Sequence, residues 1–415
     1  MAGPTAYFDP ATTNQLDERT RDLVERRSRV LGSAYRLFYD EPVQFVRGNG
    51  TKLYTADGTE YLDAYNNVPS VGHAHPRVAA AIAEQAARLT THTRYLDRAL
   101  VDYAEDLLGT FPASLGNIMF TCTGSEANDL ALRIAKAATG GTGIIVTENA
   151  YHGVTTEIAS ISPSLGGPES LASWVRVVPA PGDGDFAADV HAALADLTAS
   201  GIRPAALIVD TIFASDGVRA EVVGFADAVA AVRAAGGLFI ADEVQPGFGR
   251  LGTGFWGFAR HDLEPDLVTL GKPMGNGYPV AAVVARPDLV DAFGRHARYF
   301  NTFGGSSVAI AAAQATLDVV RDEELIKNAR VMGDYLLAEL AGIDGAIEVR
   351  GVGLFIGVRV QNEEVALDAV NALKRRRILL GESGRANDVL KIRPPLVFDR
   401  EDADRLLEGI SEVLS

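Results

Sequence analysis

Gly237-Leu-Phe-Ile-Ala-Asp-Glu-Val-Gln245 and Asp266-Leu-Val-Thr-Leu-Gly-Lys272-Pro-Met-Gly-Asn-Gly-Tyr278 decide the fold. Each begins as a short apolar run and stops abruptly in polar residues. A parallel strand buried on both faces looks like this when it delivers its last side chains to the carboxyl edge of a sheet. Open α/β folds place ligands at that edge. The first run would deliver an acid, Asp242, and the second an amine, Lys272. A lysine on a dry strand end among glycines loses solvation, so its amine sheds a proton more easily and becomes able to form a Schiff base. Taken singly, either residue also fits an ordinary solvated strand end; the rest of the chain decides between the two readings.

Working outward, apolar runs at 118–121, 143–146, 206–209, 238–241, 267–270 and 280–284 alternate with helical patterns, which predicts a mostly parallel sheet. Upstream, alternation from Val43 to Asp63 with turns at Gly48-Asn-Gly50 and Asp57-Gly58 predicts a small antiparallel meander, and a helix follows from Pro76 to about Leu89. After about Leu325 the order becomes helix, strand, strand, helix, strand, strand, helix, an α+β pattern. The expected organisation is an N-terminal segment at 1–70 that joins a small domain, a large α/β domain at 71–320, and a C-terminal α+β domain at 321–415. At 415 residues the chain is too long for one ordinary core.

Composition removes several function classes. Lys plus Arg is 38 against 54 for Asp plus Glu, a net charge of -16 that argues against nucleic acid as a general partner. The single cysteine, Cys122, rules out a disulfide framework and reads as a core filler beside Phe120. His73 and His75 stand two apart with no third ligand, so no metal is expected. The N-terminus lacks a basic stretch leading into an apolar one, and no apolar run has membrane-spanning length, so the expectation is a cytoplasmic protein with no membrane partner.

Two further motifs carry chemistry. The run 118–121 leads into Cys122-Thr-Gly-Ser-Glu-Ala-Asn128 and then into apolar positions Leu130, Ala131, Ile134, Ala135 and Ala138 at helical spacing. Ser125 is placed to cap that helix, and the backbone N–H groups of Gly124, Ser125 and Glu126 form an anion site suited to a phosphate. Tyr151-His152-Gly153 follows the next strand at the same edge, where an aromatic ring stacks on a planar group and glycine permits close approach. With an acid for a ring nitrogen, an amine for an aldehyde and a phosphate cradle, these motifs match what pyridoxal phosphate asks of its protein. Gly351-Val-Gly353-Leu-Phe-Ile-Gly357 does not compete as a dinucleotide loop because it leads into a strand, and Gly271-Lys272 lacks Walker spacing.

In this order, Thr123-Gly-Ser-Glu-Ala-Asn128, Tyr151-His-Gly153, Asp242-Glu-Val-Gln245, Gly271-Lys272 and Asn301-Thr-Phe-Gly-Gly305 resemble the class III aminotransferases, fold-type I pyridoxal-phosphate enzymes. The resemblance runs from about residue 35 to the C-terminus. It implies that Lys272 carries the cofactor and Asp242 pairs with its ring nitrogen. Gly124 and Ser125 would hold its phosphate, with Tyr151 stacked on the ring, Val244 on the other face and Gln245 near the ring hydroxyl. Thr302 would reach the cofactor phosphate of a neighbouring subunit, so the resemblance implies an obligate homodimer.

Departures from the family pattern narrow the chemistry. Aminotransferases of this family often carry Glu-Pro-Ile-Gln-Gly-Glu after the central strand and pair the last glutamate with a C-terminal arginine. Here the segment reads Asp210-Thr-Ile-Phe-Ala-Ser215, and the arginine position corresponds to Lys391 in Leu390-Lys-Ile-Arg-Pro-Pro395. A lysine binds an oxyanion as a point charge and lacks the fork that grips a carboxylate. Tyr65-Asn-Asn-Val68, Gly72-His73, Ala241-Asp-Glu-Val-Gln245, Gly271-Lys-Pro-Met-Gly-Asn-Gly277, Tyr299-Phe-Asn-Thr302 and Leu390-Lys-Ile-Arg-Pro-Pro395 are together more similar to the ethanolamine-phosphate and hydroxylysine-phosphate phospho-lyase branch. That branch eliminates phosphate and ammonia from a phosphorylated amine; Arg36, Lys391 and Arg393 are the candidate cations for the substrate phosphate. The alternatives are an ω-aminotransferase using pyruvate or another keto acid, and a non-catalytic binding protein in which Lys272 is idle.

Overall fold

The computed structural model describes residues 6–182 and 184–415; residues 1–5, the start of the N-terminus read for a leader, lie outside them. Three antiparallel strands open the chain after its first helices: β1 (Phe45–Asn49), β2 (Lys52–Thr55) and β3 (Glu60–Asp63). The meander is therefore where its alternation and glycine turns put it, and Gly50 and Gly58 hold the left-handed conformation that those turns require.

The central sheet contains β4 (Asn117–Thr121), β5 (Gly143–Thr147), β6 (Val175–Val178), β7 (Pro204–Asp210), β8 (Leu238–Asp242), β9 (Leu267–Leu270) and β10 (Ala281–Ala285), in the spatial order β4-β10-β9-β8-β7-β5-β6. All neighbours run parallel except β10, which is antiparallel to both β4 and β9. The apolar runs are unbroken because both faces are covered. Phe239 and Ala241 point into one core with the helices Phe186–Ala199 and Phe225–Ala234, while Ile240 between them points into a second core with the helix Gly124–Thr139. Each aliphatic side chain so buried contributes about 1.5–3 kcal/mol. The edge strand β6 was not among the expected strands: it pairs on one side only, and Arg176 and Val177 within it are not fully buried, so its apolar signal is diluted.

The C-terminal third adds β11 (Glu348–Val352), β12 (Phe355–Arg359), β13 (Ile378–Leu379), β14 (Gly381–Ser383) and β15 (Val389–Ile392). Here the expected pair of strands after the helix Glu363–Arg375 is a set of three short ones. β11-β12-β15-β14 form one sheet, and β13 leaves it to pair parallel with β3, so the N-terminal meander is completed from the far end of the chain. Gly351 to Gly357 forms the β11–β12 hairpin, in line with its strand-to-strand reading.

His73 and His75 each face an acid. His73 Nε2 lies 2.7 Å from Asp63 Oδ2 and His75 Nε2 3.2 Å from Glu323 Oε1. Cys122 is half-buried and outside the core clusters, contrary to the expected core filler; its thiol, pushed up to about 11 by burial and by Glu126, lies 3.6 Å from Asn301 Oδ1. No helix among the described residues is long and apolar enough to cross a membrane.

Candidate active site

The carboxyl ends of β7, β8 and β9 stand side by side, and the register sets Asp210 directly opposite Asp242. Around them lies a cavity of about 170 Å³ lined by Gly124, Ser125, Asn128, Tyr151, His152, Gly153, Asp210, Asp242, Val244, Gln245 and Lys272. It unites every residue expected to touch the cofactor except Thr302. Gly271 brings Lys272 close to the helix start, because the space a side chain would occupy at Gly271 is already held by the backbone of Gly124 at 3.3 Å.

Burial is the main influence on the Lys272 amine and lowers it to about 8; the Arg393 charge adds to the effect, and Asp242 and Asp210 oppose it. At pH 7 about a tenth of such an amine is free base, against less than about a thousandth for an ordinary lysine. Asp242 is governed differently. Burial alone would raise its carboxyl, but donors outweigh burial and hold it below the usual carboxylate range. His152 Nδ1 lies 2.7 Å and Asn128 Nδ2 3.0 Å from Oδ2, and the Val244 N–H donates to Oδ1 over 3.1 Å. Asp242 therefore stays an anion, the form that pairs with a protonated ring nitrogen.

The phosphate cradle differs from the sequence expectation in one respect. Thr123, not Ser125, caps the helix Gly124–Thr139: its hydroxyl accepts the Glu126 N–H at 3.1 Å while the Glu126 carboxylate accepts the Thr123 N–H at 3.2 Å. The Glu126 N–H is thereby consumed, and Gly124 and Ser125 retain the first N–H groups of the helix. Ser125 instead accepts a hydrogen bond from the Val154 N–H over 3.1 Å, which ties the Tyr151 loop to the cradle. At Gly153 the backbone is at φ +134°, and a Cβ would lie 2.4 Å from Ser125 Oγ. Gly153→Ala is accordingly expected to weaken phosphate-group affinity about 10-fold or more and to destabilise the fold by about 1–3 kcal/mol; titration of cofactor into apo protein and thermal unfolding measure the two effects.

Three groups that sequence reasoning left without a role also belong to the site: Asn128, His152 and Asp210. Asn128 lies one turn into the helix from Gly124, and its amide also donates to the His152 carbonyl at 2.7 Å. Asp210 accepts the N–H groups of Ile212 and Ala214, both at 2.9 Å, yet burial pushes its carboxyl up to about 6, with Asp242 adding to the rise. Glu243, next to Asp242, faces the opposite way and braces the scaffold through Thr211 Oγ1 and the N–H groups of Gly257 and Phe258.

The expected substrate cations adjoin the cavity without lining it. Arg393 and Lys391 are both buried on or just beyond β15, two residues apart and so on one face of the chain. Arg393 Nη1 donates to Gln245 Oε1, its guanidinium lies 4.7 Å from the Tyr65 ring centroid, and its Nε has no protein partner among the described residues. Lys391 Nζ approaches the Ala214 carbonyl at 3.4 Å, one residue from Ser215. Arg36 is exposed over the Tyr7 ring at 5.3 Å; Tyr7 stacks on Phe38, which meets the Tyr65 ring edge-to-face. Thr302 is exposed beside Phe303 and outside the cavity of its own chain.

A profile described as Aminotransferase class-III matches residues 38–414. The chain belongs to the class III aminotransferase family. Within it, an alanine–glyoxylate aminotransferase 2-like protein of Drosophila melanogaster is 38% identical over 95% of this chain and 87% of its own length. The ethanolamine-phosphate phospho-lyase homolog 1 of Caenorhabditis elegans is 36% identical over 98% and 96%. Among solved structures, a phospholyase from Arthrobacter in complex with phosphoethanolamine superposes with a TM-score of 0.92 at 41% identity, covering 95% of this chain and 99% of that one. The cofactor of this class III enzyme is pyridoxal 5'-phosphate, and the residues fit it: a buried amine near neutrality, an anionic acid with three fixed donors, and a glycine-lined cradle of backbone N–H groups.

Proposed function

We propose that this chain is a pyridoxal-phosphate-dependent phospho-lyase that removes phosphate and ammonia from O-phosphoethanolamine, or a similar phosphorylated amino alcohol, and releases an aldehyde. The observation that carries the reading is the occupancy of the two gate positions. Ser215 and Lys391 stand where an aminotransferase of this family pairs glutamate with arginine, and two buried cations adjoin the cavity, Arg393 through Gln245 and Lys391 beside the Ala214 carbonyl. The likeness to a phospholyase with phosphoethanolamine bound supports the same substrate class.

When bound, pyridoxal phosphate supplies an electron sink for the carbon that loses its proton. The Lys272 amine, lowered to about 8 by burial, is the base that would accept that proton. Asp242 holds the proton on the ring nitrogen, fixed in orientation by His152 and Asn128. Tyr151, Val244 and Gln245 line the same cavity, where the first two would pack on the ring and Gln245 would serve its hydroxyl. Arg393 and Lys391 grip the substrate phosphate, and Arg36 contributes a more distant positive charge.

The proposed assembly is a cytoplasmic obligate homodimer, with Thr302 donated to the partner's cofactor phosphate. Leu96, Phe303, Tyr95, Leu89 and Val101 are all at least half exposed in one chain, an apolar surface that a second copy would cover. The relative named as an aminotransferase favours the second reading, transfer of the amino group to a keto acid. Phosphoethanolamine supplied alone separates the two. Continuous phosphate release with no keto acid present is the expected result, whereas a reaction that halts until pyruvate is added would replace the lyase by the transferase.

A further inference from the structure

Lys391 and Arg393 share a strand face but not a chemistry. Arg393 is held by Gln245 and Tyr65, and its guanidinium is a planar fork of donors suited to gripping an oxyanion. Lys391 is only 8% exposed and makes no salt bridge among the described residues; its one hydrogen bond there is the long contact to the Ala214 carbonyl. The acids that face it are occupied elsewhere. Asp210 takes two backbone N–H groups, and Glu382 accepts the Ala6 N–H at 2.9 Å.

This arrangement bears on a requirement of phosphate elimination, so the role assigned to Lys391 rests on the phospho-lyase reading. When the carbon–oxygen bond of a phosphomonoester dianion breaks, its electron pair leaves with the phosphate, which would depart as a strongly basic trianion unless a proton reaches it. The proton taken by Lys272 comes from the neighbouring carbon, and its bond pair becomes the new carbon–carbon double bond; it is not available to the leaving group at that moment. We propose that Lys391 is the acid that protonates the departing phosphate, so that hydrogenphosphate dianion leaves and Lys391 is left as a neutral amine to be recharged from water. Arg393 grips the phosphate and Lys391 supplies its proton.

The environment suits that role. Burial lowers the Lys391 amine to about 7, reinforced by the Arg393 and Lys272 charges and opposed by Asp210 and Glu382, which places it where a proton donor works best at neutral pH. A surface lysine would hold its proton too tightly.

Two esters test the proposal. 2-Aminoethyl sulfate has the shape of phosphoethanolamine, but sulfate leaves without needing a proton. Lys391→Arg keeps the positive charge and removes the acid, so kcat with phosphoethanolamine is expected to fall at least ~100-fold while kcat with the sulfate stays within ~5-fold. Lys391→Met, with cofactor absorbance as the measure of folding, is expected to weaken KM for both esters and to show the same selective loss in kcat. Equal losses on both esters, or a loss confined to KM, would reduce Lys391 to an anion binder and overturn the proposal. Wild-type protein that releases neither phosphate nor sulfate would instead overturn the phospho-lyase reading, and the proposal with it. Binding offers a readout apart from turnover: inorganic phosphate titrated calorimetrically at pH 8 in buffers of different ionisation enthalpy should draw up to about one proton into the cofactor-loaded wild type and almost none into Lys391→Arg. Identical uptake in both proteins would count against the assignment.

Discussion

Lys272→Ala is expected to lower turnover by about 10⁴–10⁶-fold and to abolish covalent retention of the cofactor. The size of the effect follows from two separate duties performed by one nitrogen, holding the cofactor between turnovers and moving the substrate proton during them. No neighbouring group can substitute. Asp210 and Asp242 are carboxylates, and the buried amines Lys374 and Lys391 both stand outside the cavity lining. Borohydride reduction followed by peptide mapping reads the first duty, and phosphate release reads the second. The same nitrogen sets a pH dependence. Only the free base attacks an aldehyde, and burial brings the amine to about 8. The rate of cofactor capture by apo protein should therefore climb from pH 6 and level off above about pH 8, roughly two units before an ordinary lysine would. A rate still rising in proportion to hydroxide at pH 10 would mean that Lys272 is solvated.

Asp242→Asn should cost about 10³-fold in turnover while leaving the fold and the cofactor phosphate contacts in place. Because His152 and Asn128 both donate toward one oxygen of Asp242, an asparagine carbonyl would settle there to accept them. Its amide would then face the ring nitrogen as a donor, which favours the unprotonated ring and removes the electron sink. The substitution is nearly isosteric, so the loss should appear in kcat, with a stability cost of about 1–3 kcal/mol because the new amide faces the Val244 N–H that Oδ1 now accepts. Cofactor absorbance should remain but shift with pH differently from wild type. A variant retaining a tenth or more of wild-type turnover would show that another group protonates the ring.

How much of the fold and site could be read from sequence depended on whether a signal was local. The central strands were legible as unbroken apolar runs because two cores cover the sheet, and their abrupt polar ends marked Asp242 and Lys272. The cap was the exception: Ser125 was the expected cap, whereas Thr123-Gly-Ser-Glu126 has the spacing in which the Thr123 hydroxyl and the Glu126 carboxylate cap each other. The roles of Asn128, His152 and Asp210 depend on which strand ends lie together, which no local pattern encodes. Asp210 meets Asp242 only through the β7–β8 register, and His152 reaches Asp242 across 90 residues of sequence. Short strands with few partners, β6, β13 and β14, were the elements least visible in composition. Arg36 illustrates the converse, a candidate cation for the substrate phosphate that the fold leaves exposed over Tyr7.

The pairing of β3 with β13 has a consequence for how the protein is made. Leu62 emerges from the ribosome more than 300 residues ahead of Ile378, the residue it must sit beside. Closing so long a loop is a late event, because its entropy is recovered only once the intervening chain has condensed. The nascent meander must wait with one strand edge bare while the cofactor-holding sheet forms, and the cations from the final strand arrive last. Truncation near the C-terminus would therefore strand the opening segment as well, giving an early edge with no late partner.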